Sequence, residues 1–460
     1  MTKNLTVGNP ALLIISFAIP LFIGNLFQQF YNMADTLIVG RTIGVSALAA
    51  VGCTGSINFF ILGFVWGFTQ GTSIITSQRF GAGDEAGVRR SFAVSIFLSV
   101  AVTLVLTAVS VITARKFLVL MRTPAEILDG AYNYIIVIYW GIAASVIFNL
   151  FSNMMRAVGD SKTPLVILVI ACIINIILDF VFILVFHTGV EGAAYATVIA
   201  QVISGLLCIP VIRKKLPVLS VRREDWRFSR AEVLRHLKVA FPMGFQLSII
   251  AIGVVAVQFA VNSLGTLAVA AFTAGGKIEQ LGTMPMGSFG AAMTTYVAQN
   301  YGARKVDRIQ KGIFQCLVFS GIFSVLIAVI FFLAGPSLTA IFVGRDPEVI
   351  SLAHTFLKIE GSCLVLLSCL FVCRQSLLGL SDGFTPTVAG IMELVMRMFG
   401  AVMLPRYIGF AGVCWAGPLA WLGAAAPLFI AVLLHIRRLN RELLADRRRQ
   451  DLSRRLGETG

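Results

Sequence analysis

Ile43-Gly44-Val45-Ser46-Ala47-Leu48-Ala49-Ala50 returns about 221 residues later as Leu264-Gly265-Thr266-Leu267-Ala268-Val269-Ala270-Ala271. Each copy leads into a long apolar run. Other pairs lie on either side in the same order and at nearly the same offset. Phe17-Ala18-Ile19-Pro20 pairs with Val239-Ala240-Phe241-Pro242, and Arg79-Phe80-Gly81-Ala82-Gly83 with Asn300-Tyr301-Gly302-Ala303-Arg304. Asp160-Ser161-Lys162-Thr163-Pro164 pairs with Asp382-Gly383-Phe384-Thr385-Pro386, and 189–196 with 409–416. The chain is therefore a duplication of one unit.

Apolar runs define that unit. A bilayer-spanning helix needs about 20 mostly apolar residues. Such runs lie near 10–38, 46–77, 90–113, 130–156, 163–186 and 191–212, and again near 238–262, 267–299, 311–334, 350–379, 386–404 and 409–436. They are continuously apolar, which excludes a barrel of alternating strands. Hydrophobic residues make up 57% of the chain against 13% charged, too little polar surface for a soluble protein of this size. The 42 glycines suit close helix packing in a membrane. The predicted fold is an all-α membrane protein of twelve transmembrane helices, in two six-helix lobes related by a pseudo-two-fold axis along the membrane normal. The predicted parts are an N-lobe at 1–212, an inter-lobe linker at 213–237, a C-lobe at 238–436 and a basic tail at 437–460.

Net charge is +15, and its distribution separates a nucleic-acid reading from a topogenic one. One set of connections carries Arg79, Arg89 and Arg90, then Arg156 and Lys162, then eight basic residues between Arg213 and Arg235, then Arg304, Lys305, Arg308 and Lys311. The tail adds eight arginines, including Arg447–Arg449. The opposite connections hold only Arg41, Arg115, Lys116, Arg122, Arg345 and Arg406. The positive-inside rule then puts both termini and the linker in the cytoplasm of a bacterial inner-membrane protein, with the excess charge touching anionic lipid. No nucleic acid is expected, and the chain is expected to act as a monomer. The run from Ala11 to Ala34 after Lys3 is too long for a cleavable signal.

The eight cysteines lie in apolar runs with no CxxC pairing or metal-ligand spacing, and read as small buried hydrophobes. The four histidines are scattered, and neither HExxH nor GxSxG occurs, so no enzyme and no cofactor is expected. There is no room for the soluble sensing domain of a receptor, and nothing resembles a channel selectivity filter.

Gln28-Gln29-Phe30-Tyr31-Asn32-Met33-Ala34-Asp35-Thr36-Leu37-Ile38-Val39-Gly40-Arg41 resembles the first-helix signature of MATE (multidrug and toxic compound extrusion) transporters. The stretch 156–164 is similar to their turn between helices 4 and 5. The resemblance covers essentially the whole chain apart from the tail. It implies a secondary antiporter that expels organic cations or other amphipathic compounds in exchange for inward H+ or Na+. The competing reading is a flippase or exporter of a lipid-linked or amphipathic metabolite in the same superfamily. Those often carry a cationic cavity, whereas the acids of the first lobe here favour cationic cargo.

Acids inside the spans are few: Asp35, Asp179, Glu279, Glu360 and Glu393. A carboxylate in hydrocarbon costs about 2.5–3.5 kcal/mol, so each should face a cavity or a partner. Asn175 and Asp179 are spaced i, i+4 on one helix face. Thr197 offers a hydroxyl and Asn153 an amide oxygen, with Asn149 its competitor. The resemblance to the DinF-like branch assigns Asp35, Asn175, Asp179 and Thr197 to the N-lobe cation site, an oxygen-only set that suits Na+ as well as a proton. Asn153 is carried as a fifth candidate.

The other large branch of that family has a glutamate early in helix 7, where this chain has Gln246, an amide that takes up no proton. Gln29, Gln246, Glu279, Met284, Met286 and Phe289 are the candidate lining of the substrate cavity. Glu393 and Arg397 are spaced to pair on one helix face. Glu279 lies two residues from Lys277 and is open to cargo contact or a salt bridge. Pro20 removes a backbone hydrogen bond inside helix 1 and permits a kink, which the resemblance ties to bending near Asp35.

Overall fold

The computed structural model describes residues 4–121, 123–344 and 346–457, without the side chains of Val45 and of 446–457. Arg122 and Arg345, and the side chains of the tail arginines from Arg447 onward, thus lie outside the described set.

Twelve long helical units follow one another. They are α1 (Pro10–Thr42), α2 (Val45–Gly81), α3 (Glu85–Leu120), α4 (Ala125–Trp140 with Ile142–Ala157), α5 (Lys162–Phe180) and α6 (Val190–Lys215). The second half holds α7 (Arg230–Asn262), α8 (Thr266–Gly302), α9 (Val306–Val343), α10 (Pro347–Ser362 with Leu364–Gly379), α11 (Phe384–Met403) and α12 (Ala416–Gly457). Among the described residues nine helices are long and apolar enough to cross a membrane, and the bent pairs α4 and α10 bring the number to eleven. The twelfth, α8, has 37 residues, ample length at 1.5 Å per residue, but is more polar because much of it is buried against other helices.

Several helices outrun the predicted spans. α3 begins at Glu85 and α9 at Val306, each with a polar first turn ahead of the predicted span, and α9 runs on to Val343. The predicted start of the last span at 409 falls instead in a short connecting helix, Pro405–Cys414. Gly409 there has φ +56, which interrupts the helix. α12 runs unbroken past 436 into the tail. The linker proper is the stretch 216–229, two 3₁₀ turns tied back to α3 where Arg89 Nε lies 3.4 Å from Asp225.

The duplication seen in the sequence repeats in the backbone. Asp160 accepts from the Thr163 backbone and hydroxyl at 3.0 and 2.6 Å, and Asp382 does the same for Thr385 at 3.0 and 2.6 Å, so both helices start on the same cap. α4 bends by 48° at Gly141 and α10 by 50° at Cys363, equivalent places in the two halves. Left-handed backbone occurs at Gly83 and Arg304, and at Gly159 and Ser381. The lobes are thus two copies of one topology.

Their contact is one-sided. On the face that carries the linker, α2 of the first lobe lies directly on α7 and α8 of the second. A Cβ at Gly81 would sit 1.9 Å from the Gln299 carbonyl oxygen, and one at Gly302 would sit 1.8 Å from that of Gln78. Only glycine permits such an approach. The same two glutamines latch the seam reciprocally. Gln78 Nε2 donates to the Gly379 carbonyl at 2.9 Å, and Gln299 Nε2 donates to the Ala157 carbonyl at 2.9 Å. These donors and acceptors are equivalent positions of the repeat. On the opposite face the lobes part: Gly55 of α2 and its equivalent Gly276 of α8 meet nothing within 4 Å. The molecule is closed at the linker face and open at the other.

Candidate functional site

Three helices of the first lobe bring the polar cluster together. α1 presents Tyr31 and Asp35 one turn apart, α5 presents Asn175 and Asp179 one turn apart, and α6 presents Thr197. Asn175 and Asp179 have no solvent exposure. Tyr31 donates its hydroxyl to Thr197 Oγ1 at 3.1 Å. In the amide orientation that satisfies both ends, Asn175 Nδ2 donates to Asp179 Oδ2 at 3.3 Å and its oxygen accepts from the Thr197 backbone at 3.3 Å.

A cavity of about 180 Å³ opens beside the cluster, lined by Tyr31, Asp35, Asn58, Trp66, Tyr134 and Thr197 among others. The Asp35 and Asp179 carboxyls stand within hydrogen-bond range of each other. Oδ1 of each is buried without a hydrogen-bond partner among the described residues. Two ionised carboxyls have only acceptors to offer one another, so this arrangement calls for a shared proton or a cation between them. Immediately after Asp179 the helix widens into a π turn at Val181–Val185, an irregularity that recurs at functional sites.

Four of the five predicted N-lobe residues, Asp35, Asn175, Asp179 and Thr197, therefore meet. Asn153 does not join them. Its Nδ2 donates to Thr69 Oγ1 at 3.2 Å, and its oxygen accepts from Arg156 Nη1 at 3.4 Å. It lines a second cavity of about 160 Å³ toward the linker face, together with its competitor Asn149. The cluster's cavity takes in α4 on both sides of its bend but only as far as Ser145, eight residues short of Asn153. Tyr31 and Tyr134 were missed from sequence, although Tyr31 was signalled by its place four residues before Asp35.

In the second lobe Glu393 is clamped between two arginines, Arg374 at 2.5 Å and Arg397 at 3.0 Å. Glu360 is buried against Gly417, with Oε2 unpartnered among the described residues. Glu279 does not pair with Lys277 and feels the charge of Arg397 on α11. Gln246 spends its amide within the lobe, donating to the Pro386 carbonyl at 3.1 Å. Met286 is fully buried and accepts from Ser324 at 3.5 Å, while Phe289 packs edge-on to Phe319. Both turn into the lobe's own core rather than the cleft, and Met284 is half-buried. Gln29 does line the cleft between the lobes, in a cavity of about 460 Å³ that also takes in Asn32, Arg41 and Lys277. Pro20 is buried inside α1, which continues through it. Among the described residues no group of three or more His, Cys, Asp or Glu could hold a metal ion.

Two duplicated helical lobes with buried acids and an inter-lobe cleft define a membrane transporter. Residues 20–181 and 242–403 match the MatE family, one stretch per lobe, and the chain belongs to that family. A probable multidrug resistance protein of Bacillus subtilis, YpnP, is 30% identical over 77% of this chain and 79% of its own. A crystal structure of a MATE protein in complex with MaL6 superposes with a TM-score of 0.89 at 25% identity, over 96% of this chain and all of that one. The outward-facing conformation of a multidrug resistance MATE family transporter gives 0.88 at 25% identity, over 96% and 99%.

Proposed function

We propose that the protein is a secondary antiporter that exports amphipathic small molecules and is driven by inward movement of H+ or Na+ through the first lobe. The carrying observation is the pair Asp35 and Asp179, side by side at the edge of a small cavity with unpartnered oxygens. Loading one cation relieves the repulsion between two carboxylates in a dry site. Its release to the other side leaves that repulsion uncompensated, so occupancy biases how α1 packs on α5 and α6. α1 also packs on α8 of the second lobe, which gives the bias a route to the seam. Alternating access follows as the linker-face seam opens and the far side closes.

The excess of basic residues on the linker face makes that face cytoplasmic in a bacterial inner membrane, with anionic lipid around it. The conformation described is then outward-open, consistent with the outward-facing relative. The protein works as a monomer, since one chain carries both lobes. The names of its relatives favour drugs as cargo. A second reading, export of an amphipathic metabolite, is favoured by the charge of the inter-lobe cleft.

The test is efflux of dyes of either charge, ethidium and carboxyfluorescein, from cells or inverted vesicles with pH and sodium gradients imposed separately. Asp179→Asn should abolish gradient-driven efflux while leaving membrane insertion intact. Wild-type rates in that variant would remove the first-lobe pair from the coupling mechanism.

A further inference from the structure

The cleft between the lobes carries a charge opposite to that of the acidic pocket beside it. Arg41, at the end of α1, and Lys277, on α8, line the same cavity of about 460 Å³. Both side chains are exposed, and neither has a hydrogen-bond or ion-pair partner among the described residues. Lys277 lies eleven residues into α8, about 16 Å along the helix axis. That depth is inside the membrane, where a charged side chain without a partner marks a pathway or a ligand site.

The nearby acids do not neutralise these two cations. Asp35 is turned into the first-lobe pocket with Asp179. Glu279 is only two residues from Lys277, but two positions turn about 200° around a helix, and the two side chains form no ion pair among the described residues. The rest of the cavity wall alternates amides with apolar surface: Gln29 and Asn32, then Met33 and Leu37.

We propose that this cleft binds amphipathic anions, molecules with a carboxylate, sulfonate or phosphate on an apolar or aromatic body. The proposal rests on the transporter reading and narrows its cargo. The anionic group would lie with Lys277 deep in the cavity, and Arg41 at the outer end of the same cavity, on the opposite lobe, would draw it in. The body would lie on Met33 and Leu37, where a flexible thioether accepts varied shapes. Each lobe supplies one cation, so rocking changes their separation and the grip on the anion with it. The acids read from sequence as favouring cationic cargo serve the coupling ion instead, in a pocket of their own.

The experiment uses two xanthene dyes of opposite charge, carboxyfluorescein and rhodamine 6G. Their binding to the purified full-length protein is read by fluorescence anisotropy without any gradient. Wild type should bind carboxyfluorescein the more tightly. Lys277→Gln and Arg41→Gln should each lower the ratio of anion to cation affinity about tenfold, and Lys277→Arg should retain it. Both positions are exposed, so the variants should fold, and thermal unfolding checks that they do. Preference for rhodamine 6G in wild type, or an unchanged ratio in both glutamine variants, would overturn the proposal while leaving the antiporter intact. Anion preference in a protein that moves neither dye under either gradient would sink the antiporter reading and leave the binding site standing.

Discussion

Gly302→Ala tests whether the linker-face seam controls access. The added Cβ would lie 1.8 Å from the Gln78 carbonyl oxygen and 2.7 Å from its carbonyl carbon. Normal contact begins near ~3.4 Å, so α2 and α8 must separate by roughly 1.5 Å. The obstacle is backbone, and no side chain can rotate away to relieve it. Overpacking of this kind costs about 1–3 kcal/mol. The shift also stretches the Gln78 and Gln299 latches, each worth about 1 kcal/mol. A total near 3 kcal/mol lowers the ratio of outward-open to inward-open molecules by roughly two orders of magnitude. Spin labels at the exposed positions Glu85 and Asp307, one on each lobe at the linker face, should report a longer and broader distance by electron–electron resonance, and efflux should fall. Gly276→Ala is the control for the outward-open state, because its Cβ meets nothing there. An unchanged distance distribution in Gly302→Ala, with efflux at the wild-type rate, would refute the claim that glycine packing sets the closed seam.

Gln299→Ala should loosen the same seam by a chemical route. Its side chain accepts from Leu5 N at 2.9 Å and donates to Ala157 O at 2.9 Å; Ala157 O keeps the Ser77 hydroxyl at 3.0 Å, so the main loss is the unpaired Leu5 N–H, about 1–3 kcal/mol. Faster cysteine labelling at Ala157→Cys would report it, and unaltered labelling would count against the latch. Asp35→Asn should abolish coupled efflux as Asp179→Asn does, with the double variant no worse than either alone; additive losses would show the two acids acting separately. Glu393→Gln strands Arg374 as an uncompensated buried charge, a loss of about 3–5 kcal/mol, read as lower yield of folded protein; normal yield and melting would contradict it. Pro20→Ala should weaken efflux without lowering expression, and unchanged efflux would exclude a bend of α1 at that point.

Local patterns in the sequence carried far. Twelve apolar runs and a repeat of about 221 residues are enough for two six-helix lobes, because span length and duplication are one-dimensional properties. Asn175 and Asp179 could be paired because i, i+4 spacing fixes a helix face. The pairing of Asp35 with Asp179 depends on how α1 leans on α5, which no spacing encodes, and it came only through family resemblance. Asn153 was misplaced relative to the cluster because of its depth: it lies eight residues, about 12 Å, beyond Ser145, the last α4 residue at that cavity. Met286 and Phe289 were assigned to the cleft on residue type alone, and helix phase turned them into the core. Lys277 was considered only as a partner for Glu279, although two-residue spacing already sets the pair on different sides of α8. The glutamine latch went unseen because the quoted match 79–83 with 300–304 begins one residue after Gln78 and Gln299.

That latch has a consequence for how the molecule is built. Gln78 reaches the carbonyl of residue 379 while Gln299 reaches that of 157, so donor and acceptor are exchanged between equivalent surfaces. Such self-complementary contact is the hallmark of a two-fold homodimer. The seam therefore has the form of an interface between two identical six-helix subunits meeting face to face. The linker holds the halves at high mutual concentration without supplying the recognition itself. Severed within 216–229 and produced together, the two halves should find each other and rebuild the same interface.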